Sequence, residues 1–392
     1  MSYSYSQFVT DLKDKTHNKL GSIVNLRSLI NKSVRETNAL LDLAGTKRLV
    51  RIPTGFFTGK YQVPCPTDMK QGALIDINPL RDRTWEKRWT RVTPEEFYSR
   101  LNVEDFLCSI DNDQAVQTIL ANAFGDSVEL VFHEMDAITD PAGGTWSAAL
   151  DAENLALDTV NYLTGNASIR FDTKTGLTLA LLQNSTVSAI DASAFINVSS
   201  VFLSLYIPSD TAAAATTAVG ISWGDTSLAY MTGSASTVFD GTPFKAGWNI
   251  IKIDWSSATK VGSPAFAGVT YFSIAIGKSA ALAATKGWRI DKLSVIKGDL
   301  NNISYYSNYY WKSSAGTLLE NSTADTDVVN GDEDEYDLYV ARAAFNCAKQ
   351  LRERDDITMA KEEFKELSEA YKKNYKSEKL PLIETYFDLP TI

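Results

Sequence analysis

Residues 200–208 read SVFLSLYIP, a run of strand length that is rich in β-branched and aromatic side chains. Six more runs of this kind lie around it: SIRFD (168–172), LTLALL (177–182), AVGISW (218–223), NIIKIDW (249–255), VTYFSIAIG (269–277) and WRIDKLSVI (288–296). Turn residues separate them about every ten positions, a spacing that predicts an antiparallel sandwich. From about Asp140 to Gly298 the composition turns to Ser, Thr, Ala and Gly, which marks the extent of this domain.

The segments on either side have a different period. Tyr5, Phe8, Val9 and Leu12 follow one helical face, and Leu26, Leu29, Ile30, Val34, Leu40 and Leu41 form a stripe over a second helix, Asn25 to Asp42, with Gly45 just beyond. KRLVRIP and YQVPCP, joined by the glycine-containing TGFFTGK, predict a hairpin, and ALIDI (73–77) a further strand. Thr93-Pro94-Glu95-Glu96 is a helix start with a capping box. SVELVFHEMDAI, ending at Ile138, predicts a strand that closes this part.

After Asp299 come NISYYSNYYW (302–311), an acidic run Asp332 to Glu335, and a helix with Tyr336, Tyr339, Val340, Ala343, Ala344, Cys347 and Leu351 on one face. Carboxylates at a helix amino terminus meet the dipole favourably, by roughly 0.3–1 kcal/mol each, so the run needs no calcium. A last helix, from about Ile357 to Tyr375, has a polar face dense in Lys and Glu. The tail SEKLPLIETYFDLPTI is apolar enough to seek a receiving surface.

Composition limits the function. With 392 residues, 44% hydrophobic and 22% charged, the chain is long enough for more than one core. A net charge of −10 argues against broad binding to nucleic-acid phosphates, although residues 1–125 carry 17 basic and 14 acidic side chains. Cys65, Cys108 and Cys347 are far apart and read as free buried thiols. No signal core opens the chain and no apolar run approaches the ~20 residues of a bilayer span, so no membrane partner and a cytoplasmic site of synthesis are expected. The sequons at Asn166, Asn184, Asn197, Asn302 and Asn321 read as accidents of composition.

Catalytic signatures are missing: there is no GxSxG, HExxH, Walker or dinucleotide motif, and the two histidines, His17 and His133, sit in different surroundings and read as structural. No enzyme activity is expected. Exposed aromatics that stack on pyranose faces would be the chemistry of a sugar site, with Trp146, Trp223, Tyr230 and Trp248 as candidates. The competing reading is that a sandwich of this size needs several aromatics in its core.

Two resemblances bear on different parts of the chain. LALDTVNYLTGNASIRFDTKTG, DASAFINVSSVFLSLYIPS, FKAGWNIIKIDW and WRIDKLSVIKG, in that order, resemble a jelly-roll carbohydrate-binding module over residues 145–298. In that family Asp291 matches a position that often holds a structural calcium, the only cofactor the resemblance implies. The outer segments, with LRSLINKSVRETNALLDL, YQVPCPTDMKQGALIDINP and the helical carboxyl end, resemble head-to-tail adaptor (connector) proteins of tailed bacteriophages.

Together they imply an α+β multidomain chain: an adaptor domain in two parts (1–139 and 299–392), helical with short β-hairpins, interrupted by a β-sandwich (140–298). The adaptor resemblance further implies a virion neck protein assembled in the host cytoplasm as a ring, a dodecamer in the family. Portal protein and tail or further neck proteins would be its partners, and DNA would pass through without sequence-specific binding. Tyr306, Tyr310 and Trp311, with Leu382, Ile383, Tyr386 and Phe387 of the tail, would form the subunit or portal interface. The alternative reading is a glycan-binding virion or tail protein for host attachment.

Overall fold

The computed structural model describes residues 3–53, 62–79, 90–99, 107–111, 117–121, 127–140, 144–176, 178–184, 188–298 and 300–375. The chain divides into two compact units, one formed by Met1–Val50, Pro66–Ile77 and Ile303–Pro381, the other by Arg51–Cys65, Asn78–Asn302 and Leu382–Ile392.

The first unit is mainly helical. Ser4 caps the Tyr5–Lys15 helix by accepting from the N–H of Gln7, and the helix buries Tyr5, Phe8 and Leu12. The Leu26–Leu40 helix starts at Asn25, whose side chain accepts from the N–H of Ser28, and it buries Ile30 and Val34. The acidic run does more than meet a dipole. Asp332 and Glu335 form a reciprocal capping box at the start of the Glu333–Leu351 helix, a device worth about 1 kcal/mol at the cap alone.

Glu335 is fully buried and accepts at Oε1 from the N–H of Gly45 at 2.8 Å and from the hydroxyl of Tyr371 at 2.9 Å. Gly45 therefore ends no helix. It lies in the short turn Ala44–Thr46, where an added Cβ would fall 2.4 Å from Glu335 Oε2. The last helix is Arg354–Asn374, and Tyr371 is its buried anchor. All these helices close on one core that includes Phe8, Leu12, Val34, Trp311, Tyr339 and Cys347.

NISYYSNYYW is not one strand. The Leu300–Ser307 strand stops at Ser307, whose hydroxyl donates to Asp68 while accepting from the N–H of Tyr309; the next strand begins at Trp311. Tyr305 donates to Asp68 at 2.8 Å, Arg48 pairs with the same carboxylate, and Tyr306 packs on Ala73 and Ile75. The expected interface role of Tyr306, Tyr310 and Trp311 is corrected here: they are 3%, 6% and 0% exposed within the single chain and leave no ring face for a neighbour. The other four residues of that expectation, Leu382, Ile383, Tyr386 and Phe387, lie outside the described residues.

The hairpin expected between KRLVRIP and YQVPCP is also corrected. Lys47–Pro53 lies beside Leu300–Ser307 in a sheet completed by Met69–Pro79, whereas Gln62–Pro64 pairs with Thr118–Ala121. That second, four-stranded sheet continues through Leu107–Asp111 to Thr90–Arg91. The Pro94–Ser99 helix next to it starts as expected, with the N–H of Glu96 donating to Thr93 Oγ1 at 3.3 Å.

The second unit is dominated by the antiparallel sandwich. One sheet runs Ala152–Asp158, Ser168–Thr173, Thr285–Gly298, Ser199–Ile207, Gly247–Asp254, and Ser127–His133 pairs with the second half of Thr285–Gly298. The sandwich sheet thus takes in residues from 127 onward, ahead of the expected start at 140. The facing sheet runs Thr259–Val261, Ala229–Ala235, Thr216–Thr226, Tyr271–Lys278, Leu179–Asn184, Gly144–Leu150, Thr139–Asp140.

After Leu179–Asn184 the chain crosses between the sheets at every connection but two, the hairpin of Thr216–Thr226 and Ala229–Ala235 and the link from Thr259–Val261 to Tyr271–Lys278, which is the shuttling path of a jelly roll. Alternate residues point into one core, where Val201, Leu203, Leu205 and Ile207 meet Val219, Ile221, Ile274 and Ile276.

Candidate functional site

The strands that bury Leu205 and Ile207 must turn the residue between them outward, and that residue is Tyr206. Its register partners are Trp248 on one side and Arg289 on the other, and Arg289 is opposite Arg170 on the next strand. Directly opposed residues on a sheet have Cβ atoms about 4.5–5.5 Å apart, so these four side chains form a row across the outer face. All four are half-buried.

The Tyr206 and Trp248 rings meet edge to face with centroids 5.4 Å apart, and the Arg289 guanidinium stands 4.6 Å above the Tyr206 ring centre. Arg289 is held in place by Nε donating to Asp158 Oδ2 at 2.7 Å and by NH1 donating to the carbonyl of Gly287 at 2.8 Å. Burial alone would raise the Asp158 carboxyl. The N–H groups of Asn161 and Val160, together with Arg289, outweigh burial and hold it well below the usual carboxylate range. Beside the row, Asp172 accepts from the N–H of Gly287 and from Asn154 Nδ2.

The turn that follows Asp158 carries Val160, 82% exposed, and Tyr162, 38% exposed. Two carboxylates anchor it from beneath. Asp291 accepts from the N–H of Leu163 at 2.5 Å, the N–H of Thr164 at 3.1 Å and Thr164 Oγ1 at 2.9 Å, while Asp136 accepts from the N–H groups of Asn166 and Ala167. Burial pushes the Asp291 carboxyl up to about 6 against these donors.

Calcium at Asp291 does not fit this arrangement, because N–H and O–H donors rather than a cation face its oxygens. Among the described residues no group of three His, Cys, Asp or Glu side chains could hold a metal.

Of the four aromatics singled out in the sequence, only Trp248 joins the row. Trp146 is 2% exposed, edge-on to His133, and Trp223 is 0% exposed, edge-on to Trp255. Both are corrected to core residues, since an enclosed indole has no face for a ligand. Tyr230 is half-buried beside Tyr271 on the outer face of the other sheet, away from Trp248. Tyr206, Arg289 and Arg170 were not foreseen, because only the register brings them to Trp248. His133 accepts at Nδ1 from the N–H of Met135 and packs on Trp146, a structural setting. Cys65, Cys108 and Cys347 are all buried.

Chemically, the row offers aromatic rings for C–H faces, and arginine donors next to carboxylate acceptors for hydroxyl groups. Each arginine stands next to an aspartate, Arg289 at Asp158 and Arg170 at Asp172, 3.8 Å away. The patch is therefore close to neutral.

No protein-family model matches the chain, and no curated protein matches it. Among solved structures, the chain is similar to a family 30 carbohydrate-binding module at 14% identity, TM-score 0.29, covering 45% of this chain and 98% of that one. It is also similar to the family 30 module of a cellulosomal cellulase of Clostridium thermocellum, at 13% identity, TM-score 0.28, covering 45% and 96%. A third similarity is to the enzymatically active domain of bacteriophage CBA120 tailspike protein 4, at 11% identity, TM-score 0.25, covering 42% of this chain and 20% of that one. Likeness at these TM-scores carries no argument about function. Nothing among these findings points to a head-to-tail adaptor.

Proposed function

We propose that this protein is a non-catalytic binding protein whose sandwich holds a glycan on the outer face of the sheet that contains Tyr206. The observation that carries this reading is the cross-strand row Trp248, Tyr206, Arg289, Arg170, in which aromatic rings and hydroxyl-seeking polar groups share one half-exposed ledge. Aromatic rings take the C–H face of a pyranose, and the Arg289 and Asp158 pair supplies a donor and an acceptor to its hydroxyls. Attachment to a surface polysaccharide, as a virion or tail component would need, is the setting we propose. The ring-forming adaptor at a virion neck, with portal and tail proteins as partners, is supported only by the order of the outer sequence segments.

A glycan array with the purified full chain, followed by titration of the best ligand, tests the reading. Trp248→Ala and Tyr206→Ala should each weaken binding tenfold or more, about 1.4 kcal/mol, with the sandwich still folded by circular dichroism. No saturable binding to any glycan, or binding that both variants leave unchanged, would overturn it.

A further inference from the structure

On the face that holds the Trp248, Tyr206, Arg289, Arg170 row, charge is even in sum and uneven in presentation. The side chains of Asp158 and Asp172 are only 12% and 9% exposed, whereas that of Arg170 is 43% exposed. Both carboxylates are also filled from within the sandwich. Asp158 Oδ1 accepts from the N–H groups of Val160 and Asn161, and its Oδ2 accepts from Arg289 Nε. Asp172 Oδ1 accepts from the N–H of Gly287, and its Oδ2 accepts from Asn154 Nδ2.

The arginines keep donors to spare. The Arg170 guanidinium makes no hydrogen bond among the described residues, and its ion pair with Asp172, at 3.8 Å, is too long to be one. Arg289 uses Nε and NH1 and leaves NH2 over. The two arginines are register partners on neighbouring strands. Like charges set directly opposite each other on a sheet are destabilising, by an amount on the order of 0.2–1 kcal/mol. An anion between the two guanidinium forks removes that repulsion and takes up the spare donors.

We infer that the glycan on this ledge is acidic, with its anionic group, a carboxylate or a sulfate ester, on Arg170 and the adjoining end of Arg289, and with its rings on Tyr206 and Trp248. This rests on the glycan-binding reading above and narrows it to one ligand class. The dimensions agree with an oligosaccharide. Three strand spacings separate Arg170 from Trp248, about 14 Å at 4.7–4.9 Å each, so a charged sugar at one end of the row leaves space for a stacked neighbour at the other. A neutral chain would use the aromatic half alone.

Titration calorimetry of the purified full chain with matched oligosaccharides tests this. Oligogalacturonate, alginate and hyaluronan fragments are each compared with their carboxyl-reduced forms, and carrageenan fragments with their desulfated forms. In at least one pair the acidic member should bind tenfold or more tightly, and the pair that shows this identifies the anion. Arg170→Gln should bring that member down to the affinity of its neutral counterpart. The melting temperature should not fall, because the Arg170 guanidinium has no hydrogen bond to lose. Binding of a neutral glycan with no acidic preference in any pair, or a preference that Arg170→Gln leaves intact, would overturn this inference and leave the sandwich a glycan-binding domain. Absence of binding to any glycan, acidic or neutral, would overturn the underlying reading and this inference with it.

Discussion

The carboxylate of Asp136 stands where a side chain on Gly165 would have to be: a Cβ built there falls 2.3 Å from Asp136 Oδ2. Gly165 also has φ +66°, and the two N–H groups that follow it are the donors to Asp136. The turn beside the Tyr206 row thus depends on a missing side chain as well as on its carboxylate anchors. Gly165→Ala should destabilise the sandwich by roughly 1–3 kcal/mol. Gly176→Ala, at φ +89° with nothing within 4 Å, should cost only the backbone penalty, about 1 kcal/mol. Urea unfolding of both variants measures the difference, and equal losses would show that Asp136 yields.

A second prediction concerns an ion pair sealed in the sandwich. Lys278 Nζ meets Asp151 Oδ2, both side chains are 0% exposed, and Nζ also donates to the carbonyl of Lys174 at 2.8 Å. Removing one partner strands the other charge away from water. Lys278→Met should cost about 3–5 kcal/mol. Lys278→Met with Asp151→Leu should recover much of that, since neither charge then remains buried. A double variant no more stable than Lys278→Met would show that the loss comes from packing.

The sandwich was legible from sequence because its signal is local: each strand declares itself by its own β-branched run and the turns that bound it. The helices were legible for the same reason, with bounds displaced by only a few residues. What could not be read was register and long-range pairing. The Lys47–Pro53 strand has its neighbour far along the chain, as the bond from Asn301 Nδ2 to the carbonyl of Ile52 across 249 positions shows, and closeness in sequence points instead to the wrong strand. The site suffered likewise. Trp248 is conspicuous by residue type, but Tyr206, Arg289 and Arg170 acquire meaning only from three strand pairings, and Trp223 looks no different from Trp248 until its depth is known.

Burial of the tyrosines gives a third prediction. Tyr306 packs on Ala73 and Ile75, and Tyr310 belongs to the helical core. Tyr306→Ser with Tyr310→Ser should therefore lower the stability of the helical unit by several kcal/mol, on the order of the 2–5 kcal/mol lost on truncating large core residues. Thermal unfolding followed by helix ellipticity reads this directly. Retained stability with loss of self-association would restore the interface reading.

The last prediction is a pH dependence set by Asp291. Its carboxyl is raised from 3.8 to about 6 in the folded chain, first by burial and then by the charge of Asp136, while Leu163 and Thr164 donate to it and oppose the shift. A raised folded value means that the folded state holds the proton more tightly than the unfolded one between about pH 4 and 6. The contribution of this group to stability is therefore fully present below pH 4 and is lost as pH rises through 6. The shift corresponds to roughly 2–3 kcal/mol at 1.36 kcal/mol per unit. Asp291→Asn removes the titration, so the stability of the unaltered chain minus that of the variant should fall between pH 4 and 6 and be level above 7. Denaturant unfolding at each pH gives that difference. Because hydrogen-bond donors face the Asp291 oxygens, a chelator at pH 7 should leave the melting temperature of the unaltered chain unchanged; a fall on chelation, reversed by added calcium, would mean that the Leu163 and Thr164 turn gives way to a cation.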